Sequence, residues 1–127
     1  MIEINNQVKC YLRKSEILAI VKSFRKKYKI GSDLSIAIID DAAMKKVNKA
    51  YRHQNKTTDV LSFSGSALST PEILISWPAI KRQAGRTYKQ EFMFILVHGL
   101  LHLAGYNDER EADRQKMIEL GRKFLKY

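Results

Sequence analysis

Residues 92–103 read FMFILVHGLLHL, a helical stretch apolar on every side. Such a helix has no face to give to water, so it belongs at the centre of the fold with other elements around it. Thr87-Tyr-Lys-Gln90 ahead of it matches a capping box, and Gly105 behind it can end it in a left-handed turn. Its extension to FMFILVHGLLHLAG is the longest apolar run of the chain. Two histidines interrupt it, and it falls short of the roughly 18 residues of a membrane span.

The remaining elements must pack around this helix. The opening, IEI then QVKCYL, suits one or two short strands with a turn near Asn5-Asn6. SEILAIVKSFRKKYKIG reads as a helix, with Ser15 as cap and Gly31 as stop. Ile17, Ile20, Val21, Phe24 and Tyr28 form its apolar stripe. DLSIAIID is a strand with Leu34, Ile36 and Ile38 on one face. Asp40 or Asp41 then caps a helix carrying Met44, Val47 and Tyr51.

DVLSF (59–63) and EILIS (72–76) are two more strands, joined by a small-residue loop, SGSALSTP, flexible enough to border a site. Pro78 suits the first turn of a helix running to about Gly85. A last helix, from about Glu109 to Lys126, turns Met117, Leu120 and Phe124 inward. The expected fold is α+β: a small mixed β-sheet packed against about five helices. With no repeat or linker in 127 residues, the expectation is a single domain over 1–127.

The formal charge of +10, from 23 basic and 13 acidic residues, points to a polyanionic partner, with nucleic acid ahead of anionic membrane. A basic surface with no partner is the plain alternative. The cluster Lys22, Arg25, Lys26, Lys27 and Lys29 illustrates both, since cations at a helix C-terminus also compensate its dipole. The single cysteine, Cys10, excludes an internal disulfide framework and fits a reducing compartment. The N-terminal residues show no signal-peptide pattern, so a cytoplasmic setting without membrane contact is expected.

His98 and His102 sit four apart, which places them on one face of the helix and lets them converge on one metal ion. Buried imidazoles need partners at both ring nitrogens, and a metal on one with an acceptor on the other meets that need. The spacing continues as H-x3-H-x2-G-x2-D. A glycine turn there returns the third residue toward the helix, as in the long zincin motif. That residue is Asp108, and aspartate is a competent zinc ligand. Asp108-Glu-Arg-Glu111 also fits a capping box, so the local sequence admits both ligand and cap; Asn107 could take the capping role instead. Gly99 stands where HExxH enzymes carry their glutamate base, which ranks peptide hydrolysis low.

HGLLHLAGYND closely resembles the HGxLHLxGyDH motif of the YbeY family of rRNA-maturation endoribonucleases, and YRHQNKTTDVLSF (51–63) resembles that family's YRxxdkpTDVLSF segment. The order of elements agrees as well, and the resemblance covers nearly the whole chain. It implies an α+β fold and one Zn(2+) per chain. It also implies single-strand-specific RNA cleavage in rRNA maturation and ribosome quality control, with rRNA or a ribosomal subunit as partner. Carried over by position, His98, His102 and Asp108 are the metal ligands, and Arg52 holds the substrate phosphate. Thr58 and Asp59 fall on the TD of the second motif, with Asp59 expected to organise the turn. His53 is expected to be exposed to solvent. Lys56, Arg82 and Arg86 are candidates for RNA contact.

The chain departs from the family pattern in four places. Asp108 replaces the third histidine, Asn107 the preceding acid, PEI (71–73) the family's GDI, and Thr57 a proline. Two neutral imidazoles and a carboxylate leave a divalent ion at net +1, against +2 for three imidazoles. That weakens acidification of bound water and widens tolerance to Mn²⁺ or Fe²⁺. A binding module that keeps the fold and holds RNA or ribosomes with little or no catalysis is therefore a rival to the enzyme. A 2-His-1-carboxylate iron oxygenase matches the ligand set but leaves the basic charge unexplained. A metalloprotease comes last.

Overall fold

The computed structural model describes all 127 residues. Strand β1 (Ile2–Asn6) is followed by α1 (Lys14–Lys27), β2 (Leu34–Ile39), α2 (Asp41–Arg52), β3 (Val60–Phe63) and β4 (Glu72–Ser76). Three helices complete the chain: α3 (Trp77–Gln83), α4 (Tyr88–Leu103) and α5 (Glu111–Leu125). The four strands form one mixed sheet in the order β1-β2-β4-β3. β1, β2 and β4 run parallel, and β3 pairs antiparallel to β4 with Leu61 opposite Leu74. This is the expected α+β class with five helices.

Both faces of the central strands are buried, as parallel strands require. Leu34, Ile36 and Ile38 of β2, with Ile73 and Ile75 of β4, point toward α1, α3, α4 and α5 and share a core with Phe24, Phe92, Leu96 and Leu100. On the other face, Ala37, Ile39, Leu61 and Leu74 pack against Met44 of α2. Helix α4 is the central element, with nine buried residues. Thr87 and Gln90 close its capping box: the Gln90 N–H donates to Thr87 Oγ1 at 3.1 Å and the Thr87 N–H to Gln90 Oε1 at 3.3 Å. No helix is long and apolar enough to cross a membrane.

Several boundaries differ from the sequence expectation, each for a local reason. QVKCYL forms no second strand. Asn6 Oδ1 accepts the Cys10 N–H at 3.0 Å and the Val8 N–H at 3.3 Å, so a side chain supplies the bonds a partner strand would have made. α1 starts one residue ahead of Ser15, and its third residue, Glu16, takes the Arg13 N–H at 3.3 Å. α1 also stops at Lys27, before Gly31, which has no positive φ. Of the two candidate caps of α2, Asp40 acts: its carboxylate accepts the Ala43 N–H at 2.8 Å. Tyr51 of that helix is exposed. α3 ends at Gln83, ahead of Gly85, and α5 begins at Glu111, two residues later than expected.

Candidate metal centre

The end of α4 builds the site. Gly105, at φ +105°, lets the chain leave the helix through a full Schellman turn. The Tyr106 N–H donates to the Leu101 carbonyl at 3.1 Å, and the Gly105 N–H to the His102 carbonyl at 3.0 Å. The turn folds the following residues back over the last helical face, where His98 and His102 lie with ring centroids 5.0 Å apart. Asp108 Oδ2 sits 3.3 Å from His98 Nε2 and 3.4 Å from His102 Nε2. One ligand atom from each of the three lies within 4.8 Å of the others.

That arrangement bears on the two local readings of Asp108. The N-cap of α5 is Arg110, and no side chain caps it. Neither Asp108 nor Asn107 serves the helix, and the Asp108 carboxylate faces the imidazoles. The donor set also fits a metal. Ligands about 2.0–2.1 Å from a tetrahedral zinc stand about 3.3 Å apart, which both His–Asp separations match.

The imidazoles are prepared for this role. His102 Nδ1 donates to the Tyr106 carbonyl at 3.1 Å, which fixes the tautomer and leaves the Nε2 lone pair free. Burial pushes the His98 pKa below its ordinary value, and the neighbouring His102 pushes the same way; Asp108 and Asp59 oppose them. The shift favours the neutral imidazole, the form that can ligate a metal. Gly99, one residue on, turns to the sheet. A Cβ there would lie 3.1 Å from Ile73 Cγ2 and 3.2 Å from Ser62 Oγ, and Ser62 Oγ donates to the Gly99 carbonyl at 3.3 Å. A side chain at position 99 would crowd Ile73 and Ser62 and point to the sheet rather than to the imidazoles.

The three residues lie on a cleft of about 720 Å³ between β3, α4 and α5. Arg52, the last residue of α2, reaches the same cleft, is exposed and makes no ion pair. His53 beside it adopts a left-handed conformation (φ 57°) that ends α2, and it is exposed. Thr58 and Asp59 border the cleft too. Asp59 is tied to the end of β4 and to α3: its carbonyl accepts the Ser76 N–H at 2.9 Å, and its carboxylate accepts from Gln83 Nε2 at 3.0 Å.

The three candidates for RNA contact are not brought to the cleft. Lys56 is exposed on the α2–β3 loop, with its carbonyl held by Asn48 Nδ2 at 2.8 Å. Arg82 grips both oxygens of Asp41, whose carboxylate also takes hydrogen bonds from Ser76 Oγ and Thr57 Oγ1. Arg86 donates to Glu91 at 3.2 Å and covers the Phe94 and Tyr127 rings, 4.7 Å and 5.2 Å from their centroids. Arg114 and Ile118 of α5, by contrast, line the cleft without having been expected there. Their i,i+4 spacing shows that they share a face, but spacing alone cannot say which way that face turns.

The comparisons with known proteins agree with this architecture. A family model described as Endoribonuclease YbeY matches residues 3–127. A relative named Endoribonuclease YbeY from Myxococcus xanthus is 40% identical over 106 residues, covering 75% of this chain and 36% of the relative. One of the same name from Petrotoga mobilis is 45% identical over 95 residues, covering 69% of this chain and 65% of the relative. Another, from Fusobacterium nucleatum, is 31% identical over 127 residues, covering 91% and 75%. The chain thus spans about a third of the Myxococcus relative and just under two thirds of the Petrotoga one. The solution structure of a Thermotoga maritima protein has the same fold, with a TM-score of 0.61 at 23% identity over 99% of this chain and 92% of that one. With both motifs, the fold and the matched family model in agreement, the chain belongs to the YbeY endoribonuclease family.

Proposed function

We propose that this protein is a metal-dependent endoribonuclease that cuts single-stranded RNA during rRNA maturation and ribosome quality control. Zn(2+) is the proposed metal, and rRNA or a ribosomal subunit in the cytoplasm is the proposed partner. The observation that carries the reading is Asp108: it leaves the helix cap vacant and closes a two-imidazole, one-carboxylate set beneath a cleft that Arg52 enters. The relatives' shared name supports the nuclease chemistry.

His98, His102 and Asp108 would hold the ion. When bound, it supplies Lewis-acid charge at a phosphoryl oxygen and lowers the pKa of a coordinated water. The chain's own residues supply the rest. Tyr106 holds the His102 ring in one tautomer and orientation. The Arg52 guanidinium offers paired donors to a phosphate, where it offsets charge that builds during cleavage. Phe94, Ile95 and Ile118 give the cleft an apolar wall, which strengthens each of these electrostatic interactions.

The test pairs elemental analysis of untagged protein with cleavage of a single-stranded oligoribonucleotide. The expected result is about one equivalent of transition metal per chain and cleavage that a chelator abolishes and added metal restores. Absence of metal after zinc addition, or cleavage indifferent to chelator, overturns the reading. RNA binding without cleavage would favour the non-catalytic alternative, which the carboxylate at position 108 motivates.

A further inference from the structure

We propose that Arg114 is a second phosphate-contacting residue, gripping the RNA strand from the α5 wall of the cleft opposite the residues of α2 and β3. The inference rests on the RNA-cleft reading above and adds to it a residue outside both sequence motifs.

Four observations carry it. Among the residues lining the cleft, Arg52 and Arg114 alone have permanently cationic side chains. Arg114 and Ile118 lie one turn apart and both line the cleft, so this face of α5 is turned to it. The Arg114 guanidinium is largely uncommitted: Glu111, 3.7 Å away, is the one carboxylate within 4 Å, and both side chains are more than half exposed. A pair of that kind is weak. Finally, Arg114 is the fourth residue of α5, at the end where the helix dipole disfavours a cation. Its position serves the cleft better than it serves the helix.

The electrostatics give a reason. Asp59 and Asp108 place two carboxylates on a surface that must receive a polyanion. Arg52 and Arg114 bring two positive charges to the same cleft. The two guanidiniums come from separate helices, α2 and α5. A strand lying in the cleft can therefore contact both through its phosphates, with no sequence requirement.

The experiment measures binding of a fluorescent single-stranded oligoribonucleotide to chelator-treated protein across a salt series, so that no cleavage is needed. Three variants are compared with the unaltered chain: Arg114→Gln, Arg114→Lys and Arg122→Gln. Arg122 is an exposed residue of the same helix that does not line the cleft. Arg114→Gln should bind roughly fivefold more weakly, and the slope of log affinity against log salt should fall by about 0.7, the value for one lost single-strand phosphate contact. Arg114→Lys should keep the slope, and Arg122→Gln should resemble the unaltered chain. Equal slopes for Arg114→Gln and Arg122→Gln overturn the assignment of Arg114 while leaving the nuclease reading intact. Failure of the unaltered chain to bind the RNA overturns both.

Discussion

Asp108 Oδ2 lies 3.3 Å from His98 Nε2, ten residues away, while the α5 N-terminus that Asp108 precedes has no side-chain cap. The carboxylate faces the imidazoles and makes no cap bond to the helix. In chelator-treated protein, Asp108→Ala should therefore shift stability by well under the ~1 kcal/mol that loss of an N-cap costs. The same substitution should remove bound metal. Urea unfolding and elemental analysis of the variant check both halves, and a loss of a full cap's worth of stability would return Asp108 to a structural role.

Arg52 is exposed and makes no ion pair, so its removal should leave the fold intact. If its guanidinium meets the reacting phosphate, Arg52→Gln should lower kcat roughly 10²-fold or more, the scale for losing one charge-stabilising donor. Steady-state cleavage kinetics beside a thermal melt make the test. A rise in KM alone would place Arg52 in ground-state binding only.

Gly99 packs against the sheet where a Cβ would crowd Ile73 and Ser62. Gly99→Ala should cost about 1–3 kcal/mol through overpacking, partly offset by the better helix propensity of alanine. Gly99→Glu would drive a carboxylate into the same contact. It should unfold the chain rather than create a protease, and circular dichroism with a peptidase assay would show which occurs.

Arg82, with Ser76 and Thr57, holds the Asp41 carboxyl below the usual range for aspartate. A group whose folded pKa is depressed stabilises the fold above its unfolded pKa, and the contribution disappears as pH falls through the folded value. The Asp41 contribution should thus be complete above about pH 4 and vanish in more acid solution. Both side chains are more than a third exposed, so solvent screening keeps it within about 1 kcal/mol. Asp41→Asn should flatten that part of the acid limb in urea unfolding below about pH 4. An unchanged acid limb would show the knot to be electrostatically idle.

Cys10 is buried, and burial raises its thiol pKa against the opposing effects of the Leu12 backbone and Lys81. Iodoacetamide at pH 8 should modify the folded chain far more slowly than the chain in denaturant, because the thiolate is the nucleophile. Mass spectrometry of the time course gives the ratio; equal rates would mean that the loop after β1 opens freely.

The family's second motif shows how local a signal must be to survive into the fold. Asp59 acts in its turn through bonds to Ser76 and Gln83, and the surrounding loop is pinned by Asn48. The motif was legible because one short segment contains the strand β3 and the loop that leads into it. The opening residues left one or two strands open, and the structure forms one: alternation of residue types cannot register that the Asn6 side chain satisfies the backbone in place of a partner.

Short-range geometry is what the sequence by itself determined. The i,i+4 spacing put His98 and His102 on one face, Gly105 ended α4, and the all-round apolarity of that helix placed it at the centre. Each follows from backbone periodicity or from the burial of apolar surface, and neither needs a distant partner. Tertiary structure alone decided the order of the strands, the placing of the Asp108 carboxylate beside the two imidazoles, and the turning of Arg114 toward the cleft. It also bound Arg82 to a carboxylate 41 residues away. A charged side chain can pair with whichever opposite charge the packed chain brings near, and that choice is fixed by long-range packing rather than by its neighbours in sequence.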